Sequence, residues 1–266
     1  MRLGFTVPEL LRAGRGGGAL RMGLRRVAEA DWLWPDFDRA ARASAFAAHP
    51  EAVREQAGAA AAVRELAAML GVEGGLAEMA RSHWEDICIL QSEGEDAPYR
   101  LTAAAVAFPT DWRLGEKMGQ GLAAIHAPIH GYAEQLAAGV DHFFNILPPG
   151  EIFGRANWFI VADDAWRYLP QGDPATRFAH VTAANAGETL FVRCERQTLR
   201  RLPETRAMVF TISVALAPLG TLAPDLVHRL ADAVPTLPEG ERRRRHVAGY
   251  AGPLRGFADG LTRDAA

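Results

Sequence analysis

The stretch from Glu195 to Ile212 constrains the fold of this chain more than any other part of its sequence. It predicts parts of two strands, at residues 189–199 and 207–216, joined by a tight connection. Strands with so short a connection run antiparallel, because parallel strands need a crossover of about a dozen residues or more. We therefore expect an antiparallel sheet built around this pair.

One charged residue interrupts the apolar face of the first strand. Side chains alternate between the two faces of a strand, so one face carries Leu190, Val192 and Cys194. The next residue on that face is Arg196. A buried guanidinium is unfavourable unless it binds an anion, a carbonyl or a polar ligand. Two interpretations follow: Arg196 has a structural partner, or it points into a ligand pocket.

Three further strands and several helices complete the predicted elements. The strands lie at residues 86–91, 99–108 and 156–161, and helices are predicted within residues 38–70, 114–147 and 223–230. Two strands thus precede the central helical segment and three follow it. This order predicts an α+β fold: a PAS-like five-stranded antiparallel sheet with helices packed on one face and helical extensions at the N- and C-termini. In such a fold the central helical segment and the inner sheet face enclose a ligand.

The composition divides the chain into three predicted regions. Residues 1–35 are rich in glycine turns and form an N-terminal arm, which its tryptophans pin to the body. Residues 36–232 form the PAS-like domain, and residues 233–266 form a weakly ordered C-terminal tail. The basic run from Arg242 to Arg245 in that tail is expected to be solvated.

Charge and hydropathy exclude several classes of partner. The formal net charge of −3 predicts no strong attraction to nucleic acid or to anionic membranes. No apolar run approaches the about 20 residues of a membrane span, and the N-terminal region lacks the apolar segment of a signal peptide. Cys88 and Cys194 lie in apolar contexts and outside any CxxC pattern, which fits a reducing compartment. We expect a cytoplasmic protein with no nucleic-acid partner and no membrane association.

Signatures of nucleotide binding and of serine hydrolases are absent from the sequence. The glycines at residues 16–18 precede no P-loop pattern, and no strand is followed by GxGxxG. No GxSxG segment is present. The remaining candidates for a functional site are the histidines and the charged residues near strand ends.

Two histidines lie four residues apart in the helical segment. His126 and His130 have the spacing of two metal ligands on one helix face, but Pro128 between them disturbs the helix and no HExxH glutamate accompanies them. A two-histidine zinc site is therefore disfavoured. A single histidine that faces an apolar cavity suits an axial ligand of haem iron. The apolar residues available to line such a cavity are Ile125, Ile129, Leu136, Val140, Phe143 and Phe144.

A second polar cluster opens the strand at residues 156–161. Arg155 and Asn157 share one face of this strand, while Trp158 lies on the other. An arginine at the entrance of a strand can hold a carboxylate, such as a porphyrin propionate. The alternative is a salt bridge at the rim with a core tryptophan behind it.

Five segments together form the pattern of a known family. They are DICIL (residues 86–90), RLTAAAVAFPTDW (100–112), EKMGQGLAAIHAPIHGY (116–132), RANW (155–158) and ERQTLRRLPETRAMVFTI (195–212). In this order, across about residues 20 to 230, the chain resembles the haem-dependent oxidative N-demethylase α-subunit-like family.

The resemblance implies a haem-binding PAS-like domain that holds haem b through a proximal histidine. It implies an oxidoreductase that uses dioxygen and reductase-supplied electrons to demethylate a small methylated amine such as dimethylamine, with release of formaldehyde. It also implies separate reductase subunits that carry flavin and iron–sulfur cofactors, since no motif for either occurs in this chain.

The resemblance also assigns roles to individual residues. His126 takes the proximal position as the metal ligand, and His130 is the second choice. Arg155, Asn157 and Trp158 are expected to contact the cofactor. Arg196, with its neighbours Glu195 and Gln197, is expected to form the catalytic group: the arginine stabilises charge on bound oxygen, and a carboxylate orients an ammonium substrate.

Two other functions remain open at this point. A PAS-like haem protein can also act as a non-catalytic sensor or carrier of a diatomic gas, and fold alone does not separate that function from catalysis. A scaffold subunit without haem is the third possibility.

Overall fold

The sheet contains seven strands, and every neighbouring pair runs antiparallel. The computed structural model describes residues 3–14, 16–18, 21–94, 97–129 and 131–261. The strands, in the spatial order β1-β5-β6-β7-β3-β4-β2, are β1 (Arg25–Val27), β2 (Val53–Glu55), β3 (Asp86–Gln91), β4 (Arg100–Ala105), β5 (Ile152–Val161), β6 (Phe191–Arg201) and β7 (Met208–Pro218). The α+β class and the antiparallel sheet are thus confirmed.

The predicted number of five strands is wrong. β1 and β2 lie at the two edges of the sheet and contain three residues each. Such short strands show no alternation of apolar and polar residues in the sequence, so pattern alone does not reveal them. The five longer strands match the predicted segments, and their PAS-like arrangement stays a prediction.

Twelve α-helices occur within the described ranges. They are α1 (Val7–Ala13), α2 (Arg39–Ala48), α3 (Ala60–Leu70), α4 (Leu76–Ser82), α5 (Leu114–Lys117), α6 (Leu122–Ile125), α7 (Tyr132–Gln135), α8 (Ala137–Ile146), α9 (Ala186–Thr189), α10 (Pro224–Ala233), α11 (Glu239–Arg244) and α12 (Val247–Asp259). None of these helices has both the length and the apolar character that a membrane span requires.

Helices cover both faces of the sheet, so the prediction of helices on one face is wrong. Helices α5, α6 and α8 pack on the face that carries Cys88, Leu90 and Leu199. On the opposite face, α1, α10 and α12 pack against β5 and β6, while α2, α3 and α4 pack against β3 and β4. Two of these six helices, α1 and α12, come from the segments predicted to be an arm and a tail.

The C-terminal segment is helical, and the prediction of a weakly ordered tail is wrong for residues 239–261. Tyr250, Leu254 and Ala258 on α12 are fully buried. Their spacing of four residues places them on one helix face. Pro253 and several glycines interrupt this pattern, so the sequence alone does not indicate an ordered helix here.

The N-terminal arm is also more regular than predicted. It contains α1, whose N-terminus is capped by Thr6 and Glu9. The Nε1–H of Trp32 donates to the hydroxyl of Thr198 on β6 at 3.1 Å, so the prediction that tryptophan pins the arm is confirmed.

Candidate cofactor and substrate site

A cavity of about 320 Å³ lies between one sheet face and helices α6, α7 and α8. This volume falls within the range of small-molecule sites, about 300–1,000 Å³. Most of the lining is apolar: Cys88, Leu90, Leu101, Leu122, Ile125, Leu136, Val140, Phe144, Leu199, Phe210 and Ile212. The cavity is therefore suited to a largely apolar group that also meets a few polar side chains.

His126 lies on this cavity, immediately after α6. Its Nδ1 is 2.8 Å from the carbonyl oxygen of Leu122, and a carbonyl can only accept, so Nδ1 carries the proton. This tautomer leaves the lone pair on Nε2, the state in which imidazole binds a metal. The ring stacks on Tyr132 with centroids 4.3 Å apart, which fixes its orientation further.

His126 is held in its neutral form. Burial lowers the pKa of His126 to about 4, and the nearby cations Arg155 and Lys117 act in the same direction, while the Leu122 carbonyl opposes them. At pH 7 the ring is therefore neutral and ready to act as a ligand without losing a proton first.

His130, the second predicted ligand, lies outside the described residues, and its role stays a prediction. Among the described residues, no group of three or more His, Cys, Asp or Glu side chains is arranged to hold a metal ion. The described part of the chain thus offers single ligands such as His126, as haem iron requires, and no site of the structural zinc type.

A row of three polar side chains crosses the sheet wall of the cavity. The Nε–H of Arg155 donates to Oε1 of Gln197 at 2.7 Å, and Nε2 of Gln197 donates to Oε2 of Glu195 at 2.8 Å. Asn157 lies directly opposite Glu195 in the β5–β6 register and also lines the cavity. The structure therefore brings together Arg155, Asn157, Glu195 and Gln197 from two separate sequence segments, while their roles toward a cofactor or substrate stay predictions.

Arg196 does not join this group, and the prediction that it faces the cavity is wrong. Its guanidinium lies on the other face of β6, donates to the carbonyl oxygens of Gly4 at 3.0 Å and Trp32 at 2.8 Å, and also bonds the carbonyl of Asp31. It stacks over the ring of Phe5 at 4.5 Å. The apolar face of β6 is the face that the N-terminal arm covers, so the structural interpretation holds.

Trp158 also points away from Arg155 and Asn157. It reaches the cavity wall, but it belongs to the core cluster on the opposite face of β5, and its carbonyl accepts a bond from Arg245. Contact between Trp158 and a cofactor stays a prediction.

A charged cluster lies at one end of the cavity, and it includes Arg244 and Arg245 of the basic run that was expected to be solvated. Glu241 is 2% exposed and accepts bonds from Arg244 at 2.9 and 3.0 Å and from Arg245 at 2.9 Å. Burial opposes ionisation, but the bonds from Arg244 and Arg245 outweigh it and keep the pKa of Glu241 below its usual value. The i, i+3 and i, i+4 spacing of these residues was the available signal.

Tyr132 was not among the predicted site residues. Its hydroxyl is buried at the cavity and has no hydrogen-bond partner among the described residues. Burial, with Asp141 nearby, raises the pKa of Tyr132 to about 12, so the hydroxyl keeps its proton. A buried donor without a partner is unfavourable, so this hydroxyl is available to a polar atom, of a ligand or of water, that enters the cavity.

The charges around the cavity favour a ligand with negative groups. Among the described lining residues, three side chains are acidic and five are basic, an excess of two positive charges: Asp111, Glu195 and Glu241 against Arg21, Lys117, Arg155, Arg244 and Arg245. A ligand with two carboxylates balances this excess.

Comparison with known families identifies the group to which the chain belongs. Residues 71–252, more than half of the 266, match the family described as haem-dependent oxidative N-demethylase, alpha subunit-like. The chain belongs to this family. A comparison with curated proteins finds no match.

The cavity residues fit the haem that this family description names. His126 offers a neutral Nε2, the walls are apolar, and the two excess positive charges equal the charge of two propionates. Cys88 is the competing ligand in the cavity, but burial raises the pKa of its thiol far above the ordinary value. Because thiolate is the binding form of cysteine, His126 is the better ligand.

Proposed function

We propose that this protein is the haem b-binding, α-like subunit of an oxidative N-demethylase that acts on a small methylated amine. One N-methyl amine, one dioxygen, two electrons and two protons give the demethylated amine, formaldehyde and water. The electrons come from a separate reductase that carries flavin and iron–sulfur cofactors. The family description, with its "alpha subunit-like" term, supports a partner subunit of this kind.

The observation that carries the proposal is the position of His126. It combines a fixed tautomer, a neutral ring and a place on an apolar cavity in a chain of this family. Haem held there supplies the activation of dioxygen. Since the sequence has no CxxCH attachment motif, we infer that the haem is bound without covalent thioether bonds.

The row of polar residues on β5 and β6 recognises the amine. Small aliphatic amines are cationic at pH 7, and Glu195 is the acidic side chain among the row, buried at 6% exposure. Gln197 bonds Oε2 of Glu195, and we assign Oε1 to the ammonium. Glu195 binds the ammonium and accepts its proton, which exposes the nitrogen lone pair needed for oxidation of the methyl group.

Arg155 and Gln197 keep this carboxylate in one orientation. Arg155 fixes the amide of Gln197, which then presents its NH₂ group to Glu195. Preorganised hydrogen bonds of this kind reduce the reorganisation that substrate binding requires. The aliphatic walls exclude water from the methyl groups and restrict the size of the amine.

The haem assignment is tested by spectroscopy. We expect the wild-type protein, purified with haem supplied, to show a Soret band that His126→Ala loses or shifts strongly. His142→Ala is the matched control, because His142 is exposed on α8 and does not line the cavity. A wild type without a Soret band contradicts haem binding, and an unchanged His126→Ala spectrum contradicts the ligand assignment.

The reaction is tested by formaldehyde release. With a chemical electron donor supplied in place of the reductase, we expect the haem protein to produce formaldehyde from dimethylamine in air. Glu195→Gln should keep the Soret band while the KM for the amine rises by about tenfold or more, because a charged hydrogen bond is lost. Equal KM values in both proteins contradict the role of Glu195. Stable dioxygen binding without formaldehyde from any small methylated amine favours a gas sensor or carrier instead.

A further inference from the structure

Lys117 is the only lysine of the chain, in which lysine and arginine together number 29. It is half-buried at the end of α5 and lines the cavity. Lys117 has no role in the proposed function. Arginine and lysine differ in chemistry, since the ammonium is a compact charge with three rotatable donors and the guanidinium is a planar fork.

The ammonium of Lys117 reaches the helix that leads to His126. Its Nζ donates to the carbonyl oxygen of Ile125 at 2.8 Å, and Ile125 is the last residue of α6. A helix of four residues satisfies few of its own terminal carbonyls, so an external donor stabilises its end. Since His126 follows Ile125 directly, this bond fixes the backbone from which the imidazole projects.

One bond leaves further donor capacity on the ammonium. Lysine has three N–H donors, and the Ile125 carbonyl takes one of them. Lys117 and Arg155 line the same cavity as His126, and both lower its pKa, so the site holds two cations near this histidine. The cavity thus offers a carboxylate one cation from the helical wall, Lys117, and one from the sheet wall, Arg155.

We propose that Lys117 is a positioning residue that joins the two parts of the cofactor site. One N–H holds the end of α6, and hence His126, while another binds a carboxylate of the cofactor. This inference rests on the haem-binding part of the proposed function. It assigns Lys117 no contact with the amine and no part in proton transfer.

The test compares haem with its dimethyl ester, in which the propionates carry no charge. For Lys117→Met we expect haem to transfer to apomyoglobin about tenfold faster than from wild type, as the loss of one charged hydrogen bond predicts. With the dimethyl ester, wild type and Lys117→Gln, which keeps a donor for the Ile125 carbonyl, should release the porphyrin at nearly equal rates. The frequency of the iron–histidine stretch in ferrous Lys117→Met should also change, because the end of α6 is no longer fixed.

Two further variants serve as controls. Arg113→Met removes an exposed cation that does not line the cavity, and it should match wild type in both measurements. Lys117→Gln keeps a donor for the Ile125 carbonyl but carries no charge. It should fold even if Lys117→Met does not, and it should release haem faster than wild type does.

The outcomes separate this inference from the proposed function. A wild type without a Soret band overturns both. A haem-bound wild type with unchanged release from Lys117→Met and Lys117→Gln overturns the inference alone. A Lys117→Gln protein that releases haem and the dimethyl ester equally faster than wild type also overturns it, because the effect then does not depend on a carboxylate.

Discussion

At the residue scale, the buried arginines of β6 connect distant parts of the chain. Arg193 binds the carbonyl oxygens of Phe108 and Trp166, both at 2.8 Å, and Arg201 binds that of Leu147 at 2.7 Å. Arg196 binds the N-terminal arm in the same way. A buried guanidinium is tolerated because its five donors find carbonyl acceptors. These side chains tie loops and the arm to the strand that presents Glu195 and Gln197.

The structural role of Arg196 predicts a loss of stability. Arg196→Met leaves three arm carbonyls without their donor, so we expect the free energy of unfolding to fall by about 3 kcal/mol or more. Urea unfolding measures this change. Arg64→Met, which alters an exposed position on α3, should change stability by less than about 0.5 kcal/mol. If Arg196→Met is as stable as wild type yet loses turnover, Arg196 acts in catalysis after all.

The neutral state of His126 predicts a pH dependence of stability in the haem-free protein. The unfolded ring has a pKa of about 6.5, whereas burial lowers the folded pKa to about 4. Between these values the unfolded chain binds more protons than the folded protein, so the free energy of unfolding decreases as the pH falls from about 6.5 to about 4. Above pH 6.5 this contribution is constant.

His126→Gln should reduce this pH dependence. Urea unfolding of wild type and variant at several pH values between 4 and 7 measures the difference. His142→Gln is the control, because an exposed histidine is expected to contribute little to the difference. Equal pH dependence in wild type and His126→Gln contradicts a buried neutral His126.

At the scale of elements, α11 forms the end wall of the cavity. Its Glu241 binds Arg244 and Arg245, and the guanidinium of Arg245 lies 4.6 Å from the ring centroid of Phe159 on β5. The short helix is thus attached to the sheet through charge and aromatic contacts. Short helices of this kind depend on tertiary contacts, because six residues are too few for a stable isolated helix.

Removal of the Glu241 charge should loosen this wall. Glu241→Gln leaves two cations side by side without their carboxylate, and we expect the protein to lose about 2 kcal/mol of stability. The folded pKa of Glu241 lies below its usual value, so its contribution is present above pH 4.5 and is lost as the pH falls through the folded pKa. Wild type and variant should therefore approach each other in stability at low pH.

Glu239→Gln is the matched control for this prediction, since it changes an acidic residue of the same helix that does not line the cavity. Urea unfolding at pH 7 and at pH 3 gives the comparison. A Glu241→Gln protein as stable as Glu239→Gln at pH 7 contradicts the role of the buried carboxylate.

At the scale of the whole molecule, the two faces of the sheet have different roles. One face forms the cavity wall with Arg155, Glu195 and Gln197, and the other packs the terminal segments around Arg196. Glu195 and Gln197 on β6 thus face the cavity, and Arg196 between them binds the arm.

The five longer strands of the sheet were predictable because each is long enough to show the side-chain pattern of a strand. The five longer strands, the helix at α3 and the position of His126 in the helical segment all follow from periodicity and motif. β1, β2 and α12 were not predictable, since the first two are too short to show a period and glycine and proline interrupt the third.

The sequence by itself determined the class of fold, the family segments and the residues that deserved attention: His126, Arg155, Glu195 and Gln197. Only the tertiary structure decided which face of β6 borders the cavity. Period-two alternation shows that Arg196 and Glu195 point in opposite directions, but it does not say what covers each face. The arm supplies carbonyl oxygens to Arg196, so that arginine is structural and its two neighbours meet the cavity.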